Sequence, residues 1–520
     1  MYIEQSFSNF DGVKNMIRKL LCFFLVAALV VIVGFSEELQ TLEKSKERAT
    51  ILKQWEDELK KAMEEWNIPG MTAGIIYEDE VIYKNAFGVK DLSSMEPVDI
   101  ETVFQIGSTT KAFTATLSAI FVDEGQFGWK DRVMKLYPEF RLKDISAQQG
   151  FLFEDLMAQH SGLYPYAGDI LSIWGFGRDK VLSSLSEWPT MYSFRSDFSY
   201  VNNLFVVVEE ILERYSGKSY SELLKEKIFD PLEMKNTHAT LDDFLNANNA
   251  VTTHVNDGGN PVPINPEDGF IGWIKSLAPA GIISSNIYDM LKWVNMHLNK
   301  GTVDGEEIVS RENLLVTHSP HTFVLGNPSE PISAYCLGWV IEEFEGFKIL
   351  WHNGDTAGCH AMILMIPKAQ LGIVILSNMG SQEVPDILAK SFVQLVLGKE
   401  PELFDQLNKE NSQENDGEDV EFYPHLPLEK YTGTYNNEIF EEVVIKIEDS
   451  GLKAVVANGS HELTLEHITR DYFTAHLLPY MKDINQLSFM MDKKGNIKGF
   501  YLTEPSSPDP YWFEKMDENN

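Results

Sequence analysis

The chain has 520 residues, 44% of them apolar and 23% charged; this ordinary globular usage excludes a collagen-like or wholly disordered chain. Its 78 acidic residues against 43 basic ones leave a formal charge of −35, a field that repels phosphate backbones and argues against nucleic acid as a partner. Three cysteines are too few for a disulfide-stapled scaffold and supply no spaced thiolate set for zinc.

Lys14, Arg18 and Lys19 precede an uncharged apolar run from Leu20 to Phe35, the length of a signal-peptide core and slightly short for a membrane span. Gly34 and Ser36 are small residues where a signal peptidase reads. Residues 1–36 are therefore expected to be a signal peptide cleaved after Ser36, and the mature protein to be secreted. A retained N-terminal anchor is the alternative, and only then would a membrane be a partner. Cleavage removes Cys22 and leaves Cys336 and Cys359, whose pairing the sequence does not decide.

Residues 38–66 carry Leu52, Trp55, Leu59, Met63 and Trp66 at spacings of three and four, an amphipathic helix stopped by Pro69-Gly70. Met71–Tyr77 and Val81–Phe87 read as two strands around the turn Glu78-Asp79-Glu80. Helical periods dominate from about 104 to 300, including Ala112–Val122, Asn203–Tyr215 and Ile287–His297. Strand-like runs return at Leu337–Ile341, Ala361–Ile366 and Leu371–Ser377, before a last helix at Val384–Leu397. Strands at both ends with helices between predict an α+β domain over 37–400, its one sheet assembled from both ends around a helical insertion.

Six of the twelve residues from Glu410 to Glu421 are acidic, which marks 401–423 as a solvated linker. Seven short alternating runs follow, at Tyr431–Tyr435, Val443–Ile447, Leu452–Val456, Leu463–Leu465, Phe473–Leu477, Leu487–Met491 and Ile497–Leu502. Their even spacing predicts a small all-β barrel or sandwich over 424–520.

The sharpest chemical signal is Ser108-Thr109-Thr110-Lys111. A helix starting near Ser108 places its hydroxyl and the Lys111 amine three positions apart on one face. A serine becomes nucleophilic when a neighbour takes its proton, and a lysine can do this once its pKa is lowered, an effect that a helix N-terminus favours. The same four residues also fit an N-cap serine beside a solvated lysine, and taken alone that reading leads.

Tyr200-Val201-Asn202 and His352-Asn353-Gly354 follow in the order and spacing of the S-x-x-K, S/Y-x-N and K-T-G elements of the serine β-lactamase and penicillin-binding-protein family, which the chain resembles. Further strings agree: Leu156–Leu163, Phe229–Thr237, Pro279–Trp293, Leu337–Val340 and Gly372–Asn378. The resemblance covers residues 50–400. The tyrosine form of the second element points to the branch of class C β-lactamases, D-aminopeptidases and family VIII esterases. It implies an antiparallel sheet flanked by helices with a helical lobe, and the C-terminal part resembles the lipocalin-like modules of some D-aminopeptidase-like members.

Carried over residue by residue, the resemblance makes Ser108 the acylated nucleophile and Lys111 its proton acceptor or the partner of one. Tyr200, with a pKa depressed by Lys111, would pass the proton to the leaving group. Asn202 would hold the lysine and a substrate carbonyl, and the backbone N–H groups of Ser108 and Asp355 would form the oxyanion hole. In isolation, Tyr200 also fits a core aromatic and Asn202 a turn residue. The third element departs from the family, with His352 in place of lysine. A histidine is mostly neutral near pH 7, which moves the expectation from β-lactams and carboxypeptidation towards small amides, D-amino-acid peptides or esters. His352 would hydrogen-bond Tyr200 or the substrate. Gly354 lies between it and Asp355, whose carboxylate, if it faces the cleft, would favour a substrate amine.

No cofactor or metal is expected: Pro320 puts His318 and His321 in a loop without an acidic or cysteine partner, and no G-x-S-x-G elbow or phosphate loop occurs. Asn458-Gly459-Ser460 is a glycosylation sequon. The expected partner is a small-molecule or short-peptide substrate. The competing reading is a non-catalytic acidic extracellular protein that reuses the fold and associates with calcium, mineral or matrix through its carboxylates.

Overall fold

The computed structural model describes residues 42, 45–265, 270–324, 332–380, 383–401, 421–476, 485–504 and 507–517. The expected signal peptide and nearly all of the acidic linker lie outside the described residues. Among those described, no helix is long and apolar enough to cross a membrane.

Helix α1 (Ser45–Glu65) buries Trp55, Leu59 and Ala62, the stripe its periodicity predicts. Strands β1 (Gly70–Tyr77) and β2 (Glu80–Gly88) form a hairpin whose turn residues, Glu78 and Asp79, both take positive φ, the twist a tight hairpin requires. Gly107–Thr109 is a single 3₁₀ turn that leads into α2 (Thr110–Asp123), so Ser108 stands just ahead of the α-helix and not within it. The helical lobe includes α3 (Asp169–Ile173) and α4 (Asn203–Ser216), and α5 (Ile287–Leu298) returns the chain to the sheet.

Six more strands complete that sheet: β3 (Thr322–Val324), β4 (Ser333–Tyr335), β5 (Val340–Phe344), β6 (Phe347–Asp355), β7 (His360–Ile366) and β8 (Leu371–Ser377). Their order is β2-β1-β8-β7-β6-β5-β4-β3, antiparallel throughout. The last helix, α6 (Val384–Val396), packs with α1 on one face, and Trp55 Nε1–H donates to the Leu388 carbonyl at 2.8 Å. Helix α5 and the lobe cover the other face. Both sides of the central strands are therefore apolar: Met362, Leu364 and Ile366 face α6, while Ala361, Ile363 and Met365 face the lobe.

Two expectations need correction. The run at Leu337–Ile341 becomes strand only from Val340, because Cys336–Trp339 closes a turn in which the Cys336 N–H donates to the Trp339 carbonyl at 2.7 Å. Strand β6 was not expected as a strand, because its polar end, His-Asn-Gly-Asp, looks like a loop. Cys336 and Cys359 are buried free thiols.

The C-terminal part is a closed eight-stranded barrel of sequential antiparallel strands: β9 (Gly433–Asn437), β10 (Glu441–Glu448), β11 (Gly451–Val456), β12 (His461–Thr469), β13 (Tyr472–His476), β14 (Asn485–Met491), β15 (Ile497–Thr503) and β16 (Tyr511–Lys515). The eighth strand, absent from the seven sequence runs, closes the ring by pairing with β9. Aromatic side chains fill the interior, with Phe500 and Phe513 stacked at 4.5 Å and Tyr435 5.1 Å from Phe500. Asn458 projects from the exposed β11–β12 turn with φ +55°, its amide donating to Glu441 at 3.3 Å.

One buried apolar cluster runs from the lobe into the barrel. Phe440 is the joint: it lies 5.0 Å from Trp174 and 6.2 Å from Trp188 on one side, and 5.2 Å from Tyr511 and 5.5 Å from Phe513 on the other. Truncating such a buried aromatic costs about 3–5 kcal/mol. Phe440→Ala is expected to lower the urea midpoint and to separate barrel unfolding from lobe unfolding, seen as tryptophan fluorescence and far-UV circular dichroism no longer changing together.

Candidate active site

The site forms where α2, the Tyr200 loop and the end of β6 meet. Ser108 is partly exposed at the floor of a cleft of about 800 Å³. Lys111, one helical turn on, is completely buried, its Nζ–H groups directed at Ser108 Oγ at 3.0 Å and at the Ala280 carbonyl at 2.9 Å. Burial pushes the Lys111 pKa down to about 7, against the opposing pull of the Asp169 charge. Desolvation of the amine is the main cause of this shift, and Lys111 is also the second residue of α2, in the first turn of the helix.

The Tyr200 loop is fastened to the Leu156–Leu163 string. The Val201 N–H donates to the Gln159 side chain at 2.7 Å, and the Ser199 N–H to the Gln159 carbonyl at 2.9 Å. The Tyr200 ring lies under the lysine, with Nζ 4.8 Å from its centroid. Its pKa is held well above the ordinary tyrosine value, first by burial of the phenol and then by the neighbouring Tyr335, with a hydrogen bond to Ser108 opposing. This overturns the expected depression: the lysine meets the ring face, and desolvation of the phenolate outweighs any stabilisation. Tyr200 is a neutral phenol at pH 7.

Asn202 donates to Asp169 Oδ2 at 2.5 Å. The hold on Lys111 that the resemblance assigned to Asn202 falls instead to the Ala280 carbonyl. Asp169 lines the cleft with its other oxygen, Oδ1, buried and without a hydrogen-bond partner. Burial pushes Asp169 up to about 7, with Asn202 and Lys111 pulling back.

Strand β6 supplies the opposite wall. Side chains alternate along a strand, so His352 and Gly354 face Ser108 whereas Asn353 and Asp355 face α6. Pairing with β5 ends at Trp351, while pairing with β7 continues to Asp355. The edge from 352 to 355 is therefore open to the cleft, where its backbone can meet a substrate. Gly107, at φ +50°, and Gly354 let this edge touch the nucleophile turn. A Cβ on Gly354 would lie 2.2 Å from the Ile106 carbonyl and 2.6 Å from the Ser108 nitrogen, and one on Gly107 would lie 2.6–2.8 Å from the Asp355 backbone. The Ser108 and Asp355 amides are thus on adjoining segments.

His352 does not bond Tyr200. With Nδ1–H donating to the Asn353 carbonyl at 2.5 Å, Nε2 is left to accept from the Tyr335 hydroxyl at 3.0 Å. Burial, reinforced by Lys111, pushes His352 down to about 3, so it is neutral here. The Asp355 carboxylate is directed to His360, Oδ1 lying 3.1 Å from Nδ1, and strand alternation keeps it off the Ser108 face. Asp355 is also half exposed and lines the cleft together with Tyr166, on whose phenol its charge acts.

Sequence reasoning missed Asp169, Tyr335 and the Ala280 carbonyl. Ala280 lies inside the recognised Pro279–Trp293 string, and Asp169 follows Leu156–Leu163 closely. Tyr335 had no signal beyond an aromatic near an expected strand. His318 accepts or donates at His297, 2.9 Å away, while His321 bonds the Ser319 carbonyl at 2.7 Å. Among the described residues no group of three or more His, Cys, Asp or Glu could hold a metal.

Known proteins share this arrangement of elements. A family model described as Beta-lactamase matches residues 55–397, and one described as a domain of unknown function (DUF3471) matches 418–515. The unguisins hydrolase ungD of Aspergillus violaceofuscus is 26% identical over 472 residues, covering 81% of this chain and 82% of its own. Penicillin-binding protein 4 of Amycolatopsis lactamdurans is 23% identical over 356 residues, 67% of this chain and 92% of its own. The solved structure of the octameric penicillin-binding protein homologue from Pyrococcus abyssi superposes with a TM-score of 0.59 at 22% identity, covering 89% of this chain and 100% of that one.

The contact at Gly354 yields a test. Gly354→Ala must push β6 away from the Ser108 turn, and strain of this kind costs about 1–3 kcal/mol. The variant is expected to fold with a lower thermal midpoint and to lose most of its labelling at Ser108 by a fluorophosphonate probe.

Proposed function

The chain belongs to the β-lactamase family, and on that premise we propose that it is a secreted serine hydrolase, working through an acyl-enzyme at Ser108 on small amides, D-amino-acid peptides or esters rather than β-lactams. The observation that carries this reading is the buried Lys111 amine, 3.0 Å from Ser108 Oγ and shifted to about 7. A solvated lysine beside an N-cap serine would be neither buried nor shifted.

The steps follow from the geometry. Neutral Lys111 takes the Ser108 proton as Oγ attacks the substrate carbonyl carbon. The carbonyl oxygen, now negative, is received by the Ser108 and Asp355 N–H groups. Tyr200, a protonated phenol, gives its proton to the departing amine or alkoxide as that bond to the carbonyl carbon breaks, and the phenolate left behind takes back the proton that the neighbouring Lys111 ammonium carries, which returns both groups to their starting forms. Water then repeats the attack on the ester, and the proton returns to Ser108 Oγ. His352 keeps Tyr335 in place and offers no positive charge.

Substrate choice follows from charge. Among the described residues no lysine or arginine lines the cleft, so a carboxylate beside the scissile bond meets no counter-ion from them, which weighs against penicillins. The unpartnered Asp169 Oδ1, beside the aromatic rings of Tyr166, Phe198 and Tyr200, suits a substrate ammonium. A relative described as a hydrolase supports the reaction class.

Incubation with a p-nitrophenyl ester is expected to add one acyl mass at Ser108, and Ser108→Ala to lower kcat by at least about 10³-fold; equal turnover by the variant would overturn the reading. The Lys111 ammonium becomes a neutral amine as pH rises through its shifted value, so kcat/KM is expected to rise with pH through about 7 and then level, with Asp169 titrating in the same step. D-alanine p-nitroanilide is expected to exceed its N-acetyl counterpart about 10-fold or more in kcat/KM, as for a charged hydrogen bond. Asp169→Asn should reduce that ratio, which cancels any general loss of rate.

A further inference from the structure

Behind the oxyanion edge lies a charged chain of four side chains that the steps above do not use. His360, the first residue of β7, is 1% exposed and stands between two carboxylates. Its Nδ1 is 3.1 Å from Asp355 Oδ1, and its Nε2 is 2.5 Å from Asp386 Oδ2. Asp386 sits in the first turn of α6, where the helix dipole favours a negative charge. Its other oxygen, Oδ1, accepts from Asn353 Nδ2 at 2.8 Å. Asn353 and Asp355 flank Gly354 on the face of β6 turned towards α6.

A charge-neutral surface would not need this arrangement. Burying a histidine between two acids is costly unless all three are mutually satisfied, and an aliphatic residue at position 360 would extend the apolar face of β7 directly. Burial alone would lower the His360 pKa, yet Asp386 and Asp355 override it and hold the ring positive up to about 10. The result is a carboxylate–imidazolium–carboxylate contact from the start of α6 to the last residue of β6, hydrogen-bonded at Asp386 and held by charge at Asp355, where Nδ1 lies 3.1 Å from Oδ1 outside hydrogen-bond geometry. That last residue carries an N–H on which the proposed oxyanion hole depends, on a strand end where pairing with β7 continues while the β5 register stops at Trp351.

We infer that His360 and Asp386 are positioning residues: through the Asp355 carboxylate and Asn353 they clamp the end of β6 so that the Asp355 N–H stays aimed at the developing oxyanion. This rests on the serine-hydrolase reading of the same site. The clamp acts on the transition state, because the oxygen moves towards these donors only as it becomes negative. Removing one oxyanion donor outright costs about 10²–10³-fold in kcat. Loosening one is expected to cost about 10–100-fold.

The test compares Asp355→Ala, His360→Asn and Asp386→Asn in the full chain, using a p-nitrophenyl ester for kcat and KM and phenylboronic acid, which forms a tetrahedral adduct on Ser108, for the transition-state arm. Each variant is expected to lose about 10–100-fold in kcat with KM within about threefold, and to bind phenylboronic acid more weakly by a matching factor. Asp355 is half exposed, so Asp355→Ala tolerates the change in folding terms and decides the matter should the two buried variants fail to fold. Unchanged kcat in Asp355→Ala, or a fall in kcat with unchanged boronate affinity, would overturn the inference while Ser108 is still acylated. Absence of any adduct at Ser108 in the wild-type chain would defeat the hydrolase reading and this inference with it.

Discussion

The proposed chemistry depends on the burial of one amine. Lys111 is enclosed by α2, the Ala280 carbonyl and the Tyr200 ring, and among the described residues it has no salt bridge. An ammonium kept from water in this way gives up part of its preference for the proton, and only then can it take one from Ser108. Three features of the fold serve this end. The 3₁₀ turn presents Ser108 to the cleft while α2 carries Lys111 inward. The Pro279–Trp293 segment brings a carbonyl, a weak neutral partner, where a carboxylate would have restored the charge. The Asn202 amide holds Asp169 at a fixed orientation, so its carboxylate influences the lysine from a distance without capturing it.

The same reasoning explains why some of the site was legible in the sequence and some was not. Ser108 and Lys111 alone fitted an N-cap serine beside a solvated lysine, and it was the resemblance, carried by several strings at once, that singled out those two with Tyr200 and His352; the sheet built from both chain ends follows from where apolar runs of strand length occur. Strand β6 was hidden because half of it is polar, and its pairing with β7 is a long-range fact that local composition does not contain. The eighth barrel strand, Tyr511–Lys515, is short and mixed, and it becomes a strand only by closing a ring with β9. The orientation of Asp355 depended on the parity of β6, which could be assigned only once β6 was known to be a strand. Protonation was the least legible layer: the Tyr200 phenol and the Lys111 amine are neighbours in space, but the lysine lies over the ring, so proximity did not translate into a lowered phenol pKa.

The barrel bears on the site more closely than a tethered module would. Tyr164, in the loop that leads to Asp169, meets Tyr511 at 2.8 Å, and its hydroxyl also approaches the buried Glu504 carboxylate at 3.4 Å. Burial, with Asp169 adding to it, raises Glu504 to about 8. A barrel carboxyl that is largely protonated at neutral pH can lie behind Asp169 without adding a full negative charge to the cleft floor. The Lys180–Glu441 ion pair at 2.8 Å and the Phe440 joint fix this relation at the outer rim. The barrel interior is itself packed with aromatic rings, so its contribution comes from its surface and its β15–β16 end.

Strand parity ties these observations together. Along β6, His352 and Gly354 serve the face that holds Ser108, while Asn353 and Asp355 serve the face that holds α6, and the two sets alternate residue by residue. A shift of register by one position would exchange them, placing Asp355 against the nucleophile and His352 against Asp386. Apolar side chains alone fix that register weakly at the strand end, where β5 no longer pairs and the residues are polar. Two sequence choices supply what the apolar pattern does not. Gly354 is the residue whose neighbour contact leaves no room for a side chain on the nucleophile face, and Asn353 and Asp355 are the residues whose polar groups find Asp386 and His360 on the other. Both discriminate against the slipped register by several unfavourable contacts at once, so this strand end is held in place beyond the point where the β5 register stops.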